Sequence, residues 1–175
     1  MKKIITILTV GLLLFTTFIP SNVQAVGRWE ERNSNLWGGN VLSLAIDPNN
    51  SLVVFAGTSE GGIFKSTNSG SSWVRSDGGL TDFTINAVVI DKNNTSILYA
   101  GTFNGMFKST NNGSSWTAIN SGLTTLLIKS IAIDPTNSQL VYIGTYGGGS
   151  WAAINIDLLN LLVNDVAIDP ALNKI

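Results

Sequence analysis

One pattern runs through the chain in four copies, and that periodicity restricts it to a repeat architecture before any single segment is assigned. The dipeptide Ile-Asp occurs at Ile46-Asp47, Ile90-Asp91, Ile133-Asp134 and Ile168-Asp169, at offsets of 44, 43 and 35 residues. A Gly-Thr pair begins 10 residues after each of the first three aspartates, at Gly57, Gly101 and Gly144. Trp29, Trp73, Trp116 and Trp151 stand 17 residues before Ile46, Ile90, Ile133 and Ile168 respectively, and Leu36, Leu80, Leu123 and Leu158 follow the tryptophans by 7. The last offset is short for a visible reason. From Gly144 to Trp151 the third copy reads "GTYGGGSW" where the second reads "GTFNGMFKSTNNGSSW", so it lacks the Phe-Lys-Ser-Thr segment.

Within a copy, short apolar runs bounded by turn formers predict four β-strands. "VLSLAID", "INAVVID", "IKSIAID" and "VNDVAID" place Leu44, Val88, Ile131 and Val166 on one face with the Ile-Asp isoleucines, and small residues such as Ala45, Val89 and Ala132 on the other. Strands apolar on both faces are expected to be buried on both. Pro48 and Pro135 open the turns that follow, where a fixed φ favours reversal of the chain. The second strand is expected in "LVVFAGT", "ILYAGT" and "LVYIGT", the third in "GIFKS" and "GMFKS", and the fourth from the tryptophan onward. Four short strands per period of 43 to 44 residues is the blade of a β-propeller.

The expected fold is therefore all-β: an incomplete β-propeller of four-stranded antiparallel blades, with about 3.5 repeats where a closed ring takes about 4 to 8. Blades are expected at roughly 40–76, 84–119 and 127–156, flanked by single strands at 28–32 and 163–169. Three accounts of the low count stay open: a piece of a longer propeller, a subunit whose homodimer completes a ring, or an open arc with exposed edges.

Lys2 and Lys3, the apolar run from Ile4 to Ile19, Pro20 and then Val23-Gln24-Ala25 predict a cleavable signal peptide over 1–25, leaving the propeller at 26–175. The run is too short and too diluted by threonine to be read as a retained span. A secreted or periplasmic location follows. After cleavage 8 basic side chains face 11 acidic ones, scattered singly, which argues against nucleic acid as a partner. The chain has no cysteine and no histidine, which excludes disulfides, thiolate nucleophiles and His-based triads. No cofactor and no metal is expected.

Two polar stretches mark the repeat most sharply: "FKSTNSGSSW", Phe64 to Trp73, and "FKSTNNGSSW", Phe107 to Trp116. Asn68 and Asn111 are suited to accept a backbone N–H two residues on, Gly70 and Gly113 to take positive φ, and Trp73 and Trp116 to bury a ring between blades. Neither stretch contains a carboxylate for a divalent cation, so a turn is expected rather than a metal site. The Ile-Asp aspartates likewise open turns, and bonding to turn backbone is expected of them.

Ser66-x-Asn68-x-Gly70-x-Ser72-Trp73 and Ser109-x-Asn111-x-Gly113-x-Ser115-Trp116 resemble the Asp-box, or BNR, repeat, with asparagine where that family usually has aspartate. The resemblance implies the turn between the third and fourth strands of a blade. Such repeats occur in sialidases, sortilin-type receptors, xyloglucan-cleaving glycoside hydrolases and propeller-shaped photosystem II assembly factors, which share the blade and not the activity. A sialidase of this kind implies an arginine cluster facing the channel, but Arg28, Arg32 and Arg75 fall on or beside outer strands. The xyloglucan-cleaving relatives imply an acid shortly after the Gly-Thr pair, where this chain has Ser59, Phe103 and Tyr146. Glu60 and Asp82 are the nearest carboxylates, both on one side of the ring.

Binding is expected on the face that gathers the loops from the fourth strand to the next blade and from the second strand to the third. Trp37, Asp82 and Phe83 fall in the first kind, beside Leu126 in the equivalent loop of the next copy, and Glu60, Phe103, Asn104 and Tyr146 in the second. The aromatics are suited to stack on sugar rings or anchor a peptide, or to cover their own blade edges. The sequence thus points to an exported, noncatalytic module binding a polysaccharide or a partner protein. The alternative is a xyloglucanase- or sialidase-like glycoside hydrolase, or a fragment of one.

Overall fold

The computed structural model describes residues 31–146, 150–153 and 156–159. The expected signal peptide, Trp29 and the strand at 163–169 lie outside the described residues, as does all but the end of the strand at 28–32; residues 31 and 32 are not in a strand.

Among the described residues each short apolar run forms a strand, and consecutive strands within the first two copies pair through the short turns the sequence marks. The first copy holds β1 (Val41–Ile46), β2 (Val54–Thr58), β3 (Ile63–Ser66) and β4 (Val74–Arg75). The second holds β5 (Ile85–Ile90), β6 (Leu98–Thr102), β7 (Gly105–Ser109) and β8 (Thr117–Ala118). Both are four-stranded antiparallel sheets in sequential order. Their registers match, with Leu44 opposite Ala56 in one and Val88 opposite Ala100 in the other, and both inner pairs carry an irregularity near the start.

In the third copy β9 (Ile128–Ile133) pairs with β10 (Val141–Thr145). Beyond it β11 (Ser150–Ala153) pairs with β12 (Ile156–Leu159) as a separate hairpin, so the boundary expected at 156 falls at the first residue of a strand. The β12 strand was not expected. Its "IDLL" sequence follows an outer strand in the repeat, and the repeat pattern has no strand there.

Packing between copies makes the core. Phe55, Ile63, Val88, Leu98, Phe107 and Trp116 belong to one buried cluster between the first and second sheets. Tyr99, Met106, Ile131, Val141 and Ile143 belong to the equivalent one between the second and third. Hydrogen bonds reinforce the seams. Val88 N–H donates to Ser43 Oγ at 2.9 Å, and Asn86 Nδ2 donates to the Ile128 carbonyl at 2.7 Å. Lys65 Nζ lies 5.2 Å from the Phe55 ring centre and donates to both the carbonyl and Oδ1 of Asn112. Burial pushes its ammonium below the usual lysine range, while the charge of Asp47 works the other way.

One expectation fails. Strand β1 was expected to be buried on both faces, yet Leu44 is 62% exposed and Ile46 60%. Their equivalents in the second sheet, Val88 and Ile90, pack against the first sheet. Among the described residues no sheet stands before the first to do the same for β1, and only the smaller cluster of Ala56, Phe64 and Trp73 forms on that side.

The two polar stretches make identical turns joining β3 to β4 and β7 to β8. Ser66 Oγ accepts the N–H of Asn68 and of Gly70, and Ser109 Oγ does the same for Asn111 and Gly113. The asparagines differ from expectation. Asn68 Oδ1 accepts the Ser72 N–H and Asn111 Oδ1 the Ser115 N–H, four residues on, while the contact two residues on belongs to the serine. The serine hydroxyl sits nearer the tight part of the turn, which leaves the longer asparagine to span it. Gly70 and Gly113 both have φ of +81°, and the Ile-Asp aspartates Asp47, Asp91 and Asp134 each accept the N–H two residues on.

Candidate functional site

The antiparallel order puts the β2–β3 and β6–β7 turns at the same end of the sheets as the loops entering β1, β5 and β9. All seven binding candidates are therefore gathered at one end. Threonines of the Gly-Thr pairs fix the turns from beneath. Thr58 Oγ1 accepts the Gly61 N–H and donates to the Gly62 carbonyl, and Thr102 Oγ1 accepts the Asn104 N–H and donates to the Gly105 carbonyl. Both threonines are fully buried, so the loops above them rest on a rigid base.

Trp37, Glu60, Asp82 and Phe83 come together around the first turn. The Glu60 N–H donates to the Gly38 carbonyl, the Gly62 N–H to the Phe83 carbonyl, and Thr84 Oγ1 to the Ser59 carbonyl. Gly62 has φ of +80°, and a Cβ there would stand 3.0 Å from the Phe83 ring, so the glycine lets the ring lie against the start of β3. Arg75 stacks on the other element of this group, with its guanidinium 5.6 Å from the Phe83 centroid and ion-paired to Asp77. The Asp82 carboxylate is engaged locally. Its Oδ1 accepts the Thr84 N–H at 3.0 Å, and its Oδ2 is buried without a hydrogen-bond partner among the described residues. Glu60 is exposed.

Phe103, Asn104 and Tyr146 belong to the next loops along, and Lys129 joins them. Its ammonium lies 5.2 Å from the Phe103 centroid and 5.7 Å from that of Tyr146, within the range of cation–π attraction. The Tyr146 N–H donates to the Leu127 carbonyl, holding its loop beside the entry to β9. Sequence reasoning missed Lys129. A signal was present: the second residue of the inner strand is Leu42, Asn86 and Lys129 in successive copies, a varying position within an otherwise fixed pattern.

The surface these loops present is apolar and aromatic. Trp37 is 69% exposed, Tyr146 58%, and Phe83, Phe103 and Leu126 all lie above 40%. Elsewhere the sheets bury aromatics of the same size, Phe55, Phe64, Phe107 and Trp116 among them. Three of the four rings carry a cation of the chain itself, Arg75 on Phe83 and Lys129 on Phe103 and Tyr146. A shallow cavity of about 150 Å3 lies at the opposite end, lined by Val89, Ile90, Lys92, Ile133, Asp134 and Pro135.

No family model matches the chain, and no curated protein does. Solved structures do. An ancestral GH74 enzyme is 32% identical with a TM-score of 0.56, over 62% of this chain and 14% of that one. The GH74 enzyme of Niastella koreensis is also 32% identical, with a TM-score of 0.53, over 65% of this chain and 21% of its own. An extracellular domain of a hybrid two component system from B. thetaiotaomicron is 17% identical with a TM-score of 0.57, over 73% of this chain and 19% of that one. The chain thus spans about a fifth or less of the length of these proteins, and the likeness supports a β-propeller-type fold.

Proposed function

We propose that this chain is an exported, noncatalytic propeller module that binds a polysaccharide through the aromatic loop end. The observation that carries the reading is the exposure of Trp37, Phe83, Phe103 and Tyr146 on one end of sheets that bury Phe55, Phe64, Tyr99 and Phe107. Aromatic faces stack on the C–H faces of sugar rings, and rings seated on hydrogen-bonded turns do so with little loss of conformational freedom. The extracellular placement of one structural neighbour and the sugar-directed GH74 class of two others favour export and a glycan ligand. The reading takes the two serine-asparagine turns to be Asp-boxes, with an architectural role supported by their hydrogen bonds. It also takes the uncovered Leu44 face as the place where further blades of this type complete the ring, from a second copy or a longer array.

The second reading, a glycoside-hydrolase-like fragment, is favoured by the 32% identity to the two GH74 enzymes. It asks for two carboxylates across a cleft. Glu60 is exposed at the loop end, whereas Asp82 is turned into its own loop. Affinity electrophoresis in gels containing xyloglucan or pectic polysaccharide, with a reducing-sugar assay on the same protein, separates the two. Retardation without sugar release supports the binding module. Release abolished by Glu60→Gln establishes the hydrolase instead.

A further inference from the structure

We infer that the Phe103–Lys129–Tyr146 cluster is a subsite for a negatively charged sugar, a uronate unit of an acidic polysaccharide. The inference rests on the polysaccharide reading and specifies its ligand. Lys129 extends from β9 to lie between two exposed rings, 5.2 Å from one centroid and 5.7 Å from the other. Among the described residues it has no carboxylate partner and no hydrogen bond.

The other ring-bound cations are committed elsewhere. Arg75 is paired with Asp77, Lys65 donates to Asn112, and Lys108 lies over Tyr99, which is buried. Among the described residues, Lys129 alone combines an ammonium without a hydrogen-bond or carboxylate partner with two exposed aromatic residues. The rings hold the ammonium in a fixed place without neutralising it, since their attraction is to the cation's charge and uses none of its proton donors on an oxygen. A sugar stacked on either ring would bring its equatorial substituents to the ammonium, and a carboxylate there would accept a charge-assisted hydrogen bond. A neutral sugar offers only the stacking.

Isothermal titration of the full chain with an oligogalacturonate and with its methyl ester tests this, with xyloglucan as a neutral reference. The acid is expected to bind about tenfold more tightly than the ester, the usual gain from one hydrogen bond to a charged group. Lys129→Gln should remove that preference, so that acid and ester bind alike, while Phe103→Ala with Tyr146→Ala should weaken both ligands. Raised salt should reduce binding of the acid only. Equal binding of acid and ester, or a preference that survives Lys129→Gln, overturns the inference. If only xyloglucan binds, the acidic subsite is wrong and the polysaccharide reading stands. If no glycan binds, both fall, and binding of poly-glutamate in that case reassigns the site to an acidic protein. Circular dichroism of each variant shows whether the sheets are intact.

Discussion

Trp116 Nε1 donates a 2.7 Å hydrogen bond to the backbone carbonyl of Ser76. The bond ties the outer edge of the second sheet to the segment that leaves the first, and the Trp116 N–H reaches Gly78 O beside it. Trp73 repeats the relationship with the Arg32 carbonyl at 3.0 Å and with Ser34 O. Residues 32 to 34 thus hold the place before the first sheet that 76 to 78 hold before the second.

Removing Trp116 should cost more than removing Trp73. Both rings are buried, but Trp116 packs within the large cluster between sheets and Trp73 within a small one that is open on one side. Trp116→Ala should destabilise by about 3 to 5 kcal/mol and Trp73→Ala by about half that, measured by urea denaturation. Trp116→Phe keeps most of the ring and leaves the Ser76 carbonyl without its partner, at about 1 to 3 kcal/mol.

The two turn glycines share a φ of +81° and differ in their surroundings. A Cβ on Gly113 would come within 2.6 Å of Phe55 and 2.7 Å of Ser76 Oγ, whereas on Gly70 the nearest atom is 3.3 Å away on Trp73. Gly70→Ala should therefore cost little beyond the left-handed backbone, about 1 to 2 kcal/mol. Gly113→Ala should cost clearly more, because the Phe55 ring must move within the core. Thermal melts of the two variants give the order.

Acid should weaken the turn after β9. The Thr136 hydroxyl and then its backbone N–H hold the Asp134 carboxyl below the usual carboxylate range, against the effect of burial. A carboxylate whose folded value is depressed contributes stability above its unfolded pKa of about 4 and loses that contribution as pH falls through the lower folded value. Thr136→Val should reduce the loss of stability between neutral pH and pH of about 3, and Asp134→Asn should abolish its share. Urea midpoints across that range check the sign.

The Leu44 face should govern association. Leu44→Lys and Ile46→Lys place charges where the side chains are already exposed, so the fold should tolerate them within about 0.5 kcal/mol. The equivalent change Val88→Lys buries an unpaired cation and should unfold the chain. Light scattering coupled to size exclusion should show self-association of the parent chain and its loss in the double lysine variant.

Much of the fold was legible because the repeat made each landmark count several times. The strands around Ile46, Ile90 and Ile133, the glycine turns and the buried tryptophans all follow from short-range chemistry. The exposure of β1 was not legible. Leu44 and Val88 are equivalent in sequence, and what separates them is that among the described residues a neighbouring sheet covers Val88 and none covers Leu44. Lys129 was missed for a related reason: its significance comes from Phe103 and Tyr146, which the fold brings to it from two different copies. The detail of the turns was also beyond the sequence, since serine and asparagine are equally able to accept a turn N–H and only the geometry divides the work between Ser66 and Asn68.

The claim that the aromatic loop end binds a polysaccharide is tested most directly by affinity electrophoresis of the full chain and its Trp37→Ala, Phe103→Ala, Tyr146→Ala variant through gels containing pectic polysaccharide or xyloglucan. The account predicts retardation of the parent chain in at least one gel and normal migration of the triple variant, with unchanged circular dichroism. Unretarded migration of the parent chain in both, or equal retardation of the variant, would contradict it.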